Sequence, residues 1–314
     1  MIDEATGAGS GGTPRGQDGR RLLLVHAHPD DETITTGATM ALYAAAGAAV
    51  TLVTCTRGEH GEIIPEELAA LAADRDDTLG AHRAGELAAA MAALDVRDHR
   101  FLGEGRRVYR DSGMAYAPDG RVVPVPDPRP EAFALAPVGE PAADLAEVVR
   151  ELRPHVVITY EPGGGYGHPD HVRAHEVTML AVEQAERSGA GGEGWQVPKV
   201  YWIVLPESIA RDALGTDRAA NPFLPVDPSV PVPSMVVPDR EVTTRIDGSP
   251  RLAAKTAALG AHATQVQVRD GYFALTNGIG QPLFGVEYFR LVRGRPAGPF
   301  DSSGYETDLF AGIA

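Results

Sequence analysis

The chain has 314 residues, 43% of them hydrophobic, which is enough for a large core and, by length alone, for one or two domains. Its 28 basic and 43 acidic side chains leave a net charge of -15, which repels phosphate backbones and anionic bilayers, so neither nucleic acid nor a membrane surface is an expected partner. No apolar run approaches the roughly 20 residues that span a bilayer, and the single cysteine, Cys55, excludes an intrachain disulfide and fits a reducing, cytoplasmic compartment.

The start, MIDEATGAGSGGTPRGQDGR, is Gly-rich and lacks the basic-then-apolar order of a signal peptide. It reads as a flexible tail, residues 1–20, ahead of one α/β domain, residues 21–314. RLLLVHAH predicts a buried strand, TTGATMALYAAAG a helix that Gly47 stops, and AVTLVTCT a second buried strand in which Cys55 is a small hydrophobe. Residues 65–94, rich in Ala, Leu and Glu, predict one or two helices, and DHRFLG a short strand. EPAADLAEVVRELRP is a helix stopped by Pro154, and HVVITY is another fully buried strand. A helix from Pro169, a surface turn at GAGGEG and the strand KVYWIVL follow. The Pro-rich stretches, about 120–138 and 215–238, lack periodicity and are expected as extended loops or a small accessory layer. REVTTRID, SPRLAAKTAALGAHATQV and EYFRLVRG add strands and helices whose order the pattern does not define. The repeated alternation predicts a Rossmann-like α/β fold: a mostly parallel sheet flanked by helices, with its site at the carboxyl ends of the strands.

Two such ends carry matching chemistry. His28-Pro29-Asp30-Asp31 follows the first strand, and His168-Pro169-Asp170-His171 follows HVVITY. Proline suits a helix's first turn, so the side chains beside it are held at a helix start. His28 and Asp31, three residues apart, can reach one point, and His171 from the second loop completes a His2Asp metal set that leaves a position for water. A metal so held makes hydroxide available near neutral pH. Asp30 is then placed to act as general base, and His168 to donate to an oxyanion or leaving amine. Beside this stands the plainer reading that acids at a helix start are caps. The second copy of the motif weighs against it. His26 points away from His28 and reads as a hydrogen-bonded core histidine, and His175 reads as structural.

Other metal chemistries stay open on these residues. A binuclear motif of the metallo-β-lactamase type would begin at His26-x-His28-x-Asp30, yet Asp31 stands where its next histidine belongs. An iron(II) facial triad on His28 and Asp30 suits a different, antiparallel fold. A non-catalytic sugar-binding protein with a structural ion would need four protein ligands, and three are found.

RLLLVHAHPDDE, ELRPHVVITYEPGGGYGHPDH and ALGAHATQV resemble the zinc-dependent de-N-acetylases of the LmbE-like, PIG-L type family. TCTRGEHGEI, LGAHRAGEL, YRDSGM, VPKVYW and YETDLF continue the likeness in order over residues 21–312. The resemblance implies one zinc ion per chain, with iron(II) as the alternative, held by His28, Asp31 and His171, and Asp30 as general base. It adds Tyr166 as a mobile phenol at the oxyanion, with His168 as an imidazolium beside it. Arg83 and Asp111 are implied to bind sugar hydroxyls, and Asp170 either orients His168 or caps its helix. The implied substrate is N-acetylglucosaminyl-inositol, deacetylated in mycothiol biosynthesis. A sister amidase of mycothiol S-conjugates tends to carry a lysine just after HPDDE, where this chain has TITTG. The Pro-rich stretches depart from the family pattern.

Overall fold

The computed structural model describes residues 17–118, 121–215, 220–226 and 232–314. In chain order the first elements are β1 (Arg21–His26), α1 (Asp31–Ala45), β2 (Ala49–Thr54), α2 (Leu79–Ala93) and β3 (Asp98–Phe101). Next come β4 (Ala115–Tyr116), β5 (Val122–Val123), α3 (Gly139–Leu152), β6 (Val156–Tyr160), a short α4 (Gly164–Gly167) and α5 (Pro169–Ala185). The last part holds β7 (Lys199–Pro206), α6 (Glu207–Gly215), β8 (Val236–Val237), β9 (Thr244–Asp247), α7 (Leu252–Ala261), β10 (Gln267–Arg269), β11 (Tyr272–Ala274), β12 (Gly280–Pro282) and β13 (Val286–Arg293).

The main sheet runs β3-β2-β1-β6-β7-β13-β9. The first five strands are parallel, whereas β13 pairs antiparallel with both β7 and β9. The parallel part alternates with helices as predicted. The inner strands β1, β2 and β6 are buried along nearly their whole length because they are covered on both faces, whereas the edge strand β3 is only partly buried. Leu22 and Leu24 of β1 pack with Met40 of α1, Leu87 of α2 and Ala258 of α7. Leu23 and Val25, pointing the other way, pack with Leu145 of α3 and Val177 of α5. Strand addition reverses direction between β1 and β6, and in open α/β sheets that reversal opens a ligand crevice at the carboxyl ends.

Several expectations resolve into detail. Residues 65–94 hold a 3-10 turn at Glu66–Leu71 and then α2. Helix α3 ends with Arg153 in the left-handed conformation just before Pro154, because the residue preceding proline is disfavoured from continuing a helix. Around the first Pro-rich stretch, β4 and β5 form a hairpin and Phe133 plugs the core. In the second, β8 pairs with β7, and Leu224 bridges to Ile279. Of the expected tail, residues 1–16 lie outside the described residues, while Gln17 donates from its backbone to Ala46 O at 3.1 Å and Arg20 Nη2 to Ile313 O at 2.7 Å. Cys55 is buried, and burial pushes its thiol well up, as suits a small hydrophobe. Among the described residues, no helix is long and apolar enough to cross a membrane.

Candidate active site

Strands β1 and β6 are neighbours, with Leu22 opposite Val156, so the loops that follow them face each other. In the first, His26 closes β1 with Nε2 3.1 Å from Thr36 Oγ1, and desolvation lowers its pKa to about 4. It is a neutral core histidine. Pro29 lies before the helix rather than in its first turn, because Asp30 interposes a residue at φ 117° and ψ -35°. That conformation is strained for any side chain, by roughly 1–3 kcal/mol. The Asp30 carboxylate makes no capping bond. Instead Arg83 Nη2 donates to it at 3.0 Å and also to the carbonyl of Pro29, while Asp30 N donates to Glu32 Oε2 at 2.9 Å. Glu32 Oε1 lies 3.0 Å from His262 Nε2, and both residues are fully buried.

In the second loop Pro169 does take the first helical position, and the ring of His168 is the N-cap, its Nδ1 accepting from Asp170 N at 3.1 Å. A neutral ring whose Nδ1 accepts carries its proton on Nε2. Asp170 was expected either to orient His168 or to cap the helix. Its Oδ2 lies 3.2 Å from His28 Nε2 and accepts from Ser112 N at 2.8 Å, so the imidazole that this carboxylate orients is that of His28.

His28, His168 and His171 offer ligand atoms within 4.8 Å of one another, as do His28, Asp111, His168 and Asp170, and all are buried. The tightest convergence also takes in Asp31. His28 Nδ1 to Asp31 Oδ2 is 3.2 Å, His171 Nε2 to Asp31 Oδ2 is 3.2 Å, and His171 Nε2 to His28 Nδ1 is 3.3 Å. A tetrahedral zinc ion with bonds of about 2.0 Å holds its ligand atoms about 3.3 Å apart. The three donors therefore fit such an ion without rearrangement. The far nitrogens are also engaged, His28 Nε2 with Asp170 and His171 Nδ1 with Gly164 O at 3.1 Å, the arrangement that turns a lone pair towards a metal. Tyr160 OH donates to Asp31 Oδ2 at 2.8 Å and accepts from Ala27 N at 2.9 Å.

The local electrostatics divide these groups. Burial raises the Asp30 carboxyl to about 6, against the pull of Arg83. Burial would also raise Asp31, but His171 and His28 overcome it and hold Asp31 well below the carboxylate range. Burial, then the rings of His28 and His171, lower His168 below the usual imidazole range, in keeping with an Nδ1 that accepts from Asp170 N. Arg83, which a helical pattern alone would leave on the surface, is 3% exposed. A Cβ at Gly58 or Gly61 would meet its Nη1 at 2.0 or 2.7 Å, so those glycines make its room. Asp111 lies 3.6 Å from His28 Nε2 and accepts from His60 N at 3.1 Å and Gly113 N at 2.8 Å. Tyr166 is 42% exposed, with its ring edge-on to His171 at 5.0 Å between centroids. His175 bonds Tyr160 O at 2.9 Å and stays structural.

Sequence reasoning missed Tyr160, Ser112 and the supporting role of His262. For Tyr160 a signal exists, a phenol ending an otherwise apolar strand immediately before a Gly-rich turn. For the other two none is visible, because their partners lie far away in the chain.

The sequence profile of a family described as GlcNAc-PI de-N-acetylase, PIG-L, matches residues 23–182. The chain belongs to this PIG-L/LmbE family of de-N-acetylases. It is 55% identical over 307 residues to a Kineococcus radiotolerans protein named 1D-myo-inositol 2-acetamido-2-deoxy-alpha-D-glucopyranoside deacetylase, covering 94% of this chain and 83% of the relative. Proteins of the same name from Streptomyces scabiei, 51% identical over 100% of this chain and 96% of theirs, and from Thermobispora bispora, 53% identical over 94% and 99%, are similar along their whole length. Among solved structures, the N,N'-diacetylchitobiose deacetylase of Pyrococcus horikoshii shares the fold at a TM-score of 0.51 and 18% identity, over 80% of this chain and 72% of that one. A 4-carboxy-2-hydroxymuconate hydratase from Pseudomonas putida does so at 0.54 and 18%, over 90% and 100%. A deacetylase and a hydratase on one fold show that the fold alone does not choose the reaction.

Proposed function

We propose that this protein hydrolyses the acetamido group of 1D-myo-inositol 2-acetamido-2-deoxy-alpha-D-glucopyranoside, giving acetate and the glucosaminyl-inositol amine, a step of mycothiol biosynthesis. The substrate follows from the names of relatives that match over nearly the whole chain. The chemistry rests on one observation: the His28, Asp31 and His171 triangle has zinc dimensions and stands beside a strained, desolvated Asp30. One zinc ion per chain is the proposed cofactor, with iron(II) suited to the same donors. When bound, such an ion polarises the amide carbonyl and acidifies water near neutral pH.

The protein's own groups then divide the work. Asp30 takes the proton of the attacking water, its carboxyl raised by burial to about 6, close to the pH at which a general base is most effective. Arg83 anchors one oxygen of that carboxylate. His168 donates from Nε2 as a neutral ring, and the Tyr166 phenol donates from the exposed side, both towards the oxyanion. When the C–N bond breaks, Asp30 holds the proton that the leaving amine needs. The family resemblance assigns Asp111 and Arg83 to sugar hydroxyls, and both are buried close to the proposed site, Asp111 beside His28 and Arg83 on Asp30.

The test is an amine-release assay on N-acetylglucosaminyl-inositol, run beside a mycothiol S-conjugate and plain N-acetylglucosamine. Release chiefly from the first is expected. Release chiefly from the conjugate would make the protein an amidase, and release from none would overturn the enzymatic reading.

A further inference from the structure

The turn that carries Tyr166 is held by residues that the reaction itself does not use. Gly165 has φ 76° and ψ -75°, the geometry of a γ-turn with positive φ, which is rare and open chiefly to glycine. Glu161, the first residue after β6, closes this turn from below: Oε2 accepts from Gly163 N at 2.6 Å and Oε1 from Gly165 N at 2.8 Å. On its other side, Ser234 and Met235 lie against it. Ser234 Oγ is 2.7 Å from Glu161 Oε1 and 2.9 Å from Gly165 O, and Met235 N donates to Gly165 O at 3.0 Å. That strap is itself fixed, because Leu205 N donates to Met235 O at 2.8 Å and β8 pairs with β7.

The neighbouring glycines serve this closure. A Cβ at Gly163 would lie 2.4 Å from Ser234 Oγ, and one at Gly164 2.6 Å from Val172 N. The GGG run is therefore a packed turn with a reason for each glycine. Tyr166 comes directly after it. With 42% of the residue exposed, the position of its ring is set less by burial than by the backbone that presents it.

We propose that Glu161 and Ser234 are positioning residues that lock the γ-turn at Gly165 and so place the Tyr166 phenol over the site. The proposal rests on the oxyanion role given to Tyr166 above. Relaxing the turn displaces the hydroxyl, and a displacement of about 1 Å in a catalytic group can cost up to about 10²-fold.

A double-mutant cycle on the metal-loaded enzyme tests it, with melting temperature and metal content measured for every variant because Gly164 O also contacts His171. Glu161→Gln is expected to lower kcat roughly 10-fold to 100-fold and Ser234→Ala severalfold, with KM and metal content unchanged. In a Tyr166→Phe background the same substitutions should cost almost nothing further, since both act through the phenol. If their losses multiply with that of Tyr166→Phe, or if neither single variant lowers kcat, the latch is overturned. A fully active Tyr166→Phe would instead overturn the role of the phenol. Should Glu161→Gln melt early or lose metal, the milder Ser234→Ala decides by the same cycle.

Discussion

The two His-Pro-Asp loops look like copies in the sequence, but the structure uses them in opposite ways. In the first, the strained residue is an acid, Asp30, and rigid partners hold it: Arg83 on its carboxylate, and Glu32 backed by His262 on its amide. In the second, Pro169 starts a regular helix, His168 caps it, and the strain falls four residues upstream of Pro169, on Gly165. Positive φ is inexpensive for glycine and costly for aspartate. The first loop thus concentrates its constraint on one reactive carboxylate, while the second spends little on strain and presents donors on a turn fastened by a separate strap. Equal sequence signatures at equivalent strand ends do not imply equal mechanics.

Variants can break this division of labour. The largest loss is expected from His171→Ala in the second loop: one corner of the triangle disappears, and metal content and activity should both fall to background. Metal analysis that finds the ion retained would remove His171 from the ligand set. Next comes Asp30→Asn in the first loop, which keeps the shape of the side chain. Here the metal should stay while the rate falls by roughly 10² to 10⁴, the usual range for a general base. Full activity in that variant would mean that the strained residue has no part in proton transfer. The smallest effect is read in stability rather than in rate. Burial works against the charged form of His262, but Glu32 and then Asp30 outweigh it and raise its pKa above the ordinary 6.5. The stability from this pair is therefore complete below about pH 6.5 and is lost as pH rises through the raised folded value. The melting-temperature gap between the wild type and His262→Gln should narrow as pH increases from 6 to 9, and a gap that widens would contradict the pairing.

How much of this was legible follows from where each signal lives. The apolar runs of β1, β2 and β6 announced buried parallel strands, and the doubled motif placed His28, Asp30, Asp31, His168 and His171 at one sheet end. Those features are local, so a pattern carries them. The antiparallel entry of β13 between β7 and β9 is a matter of long-range pairing, and nothing in EYFRLVRG states its neighbours. Arg83 looked like a surface charge because the space it fills is opened by Gly58 and Gly61 on another segment. His262 lacked a motif because its partner, Glu32, is 230 residues away. The proline-rich strap at Ser234 showed only missing periodicity, although its contacts with Gly165 are specific.

The reversal of strand order between β1 and β6 also sets an order of events during synthesis. His171, the proposed third corner of the metal triangle, enters the chain 143 residues after His28. HPDDE by itself supplies only two corners of that triangle, His28 and Asp31. The proposed triangle is complete only once β6 has docked beside β1 in register.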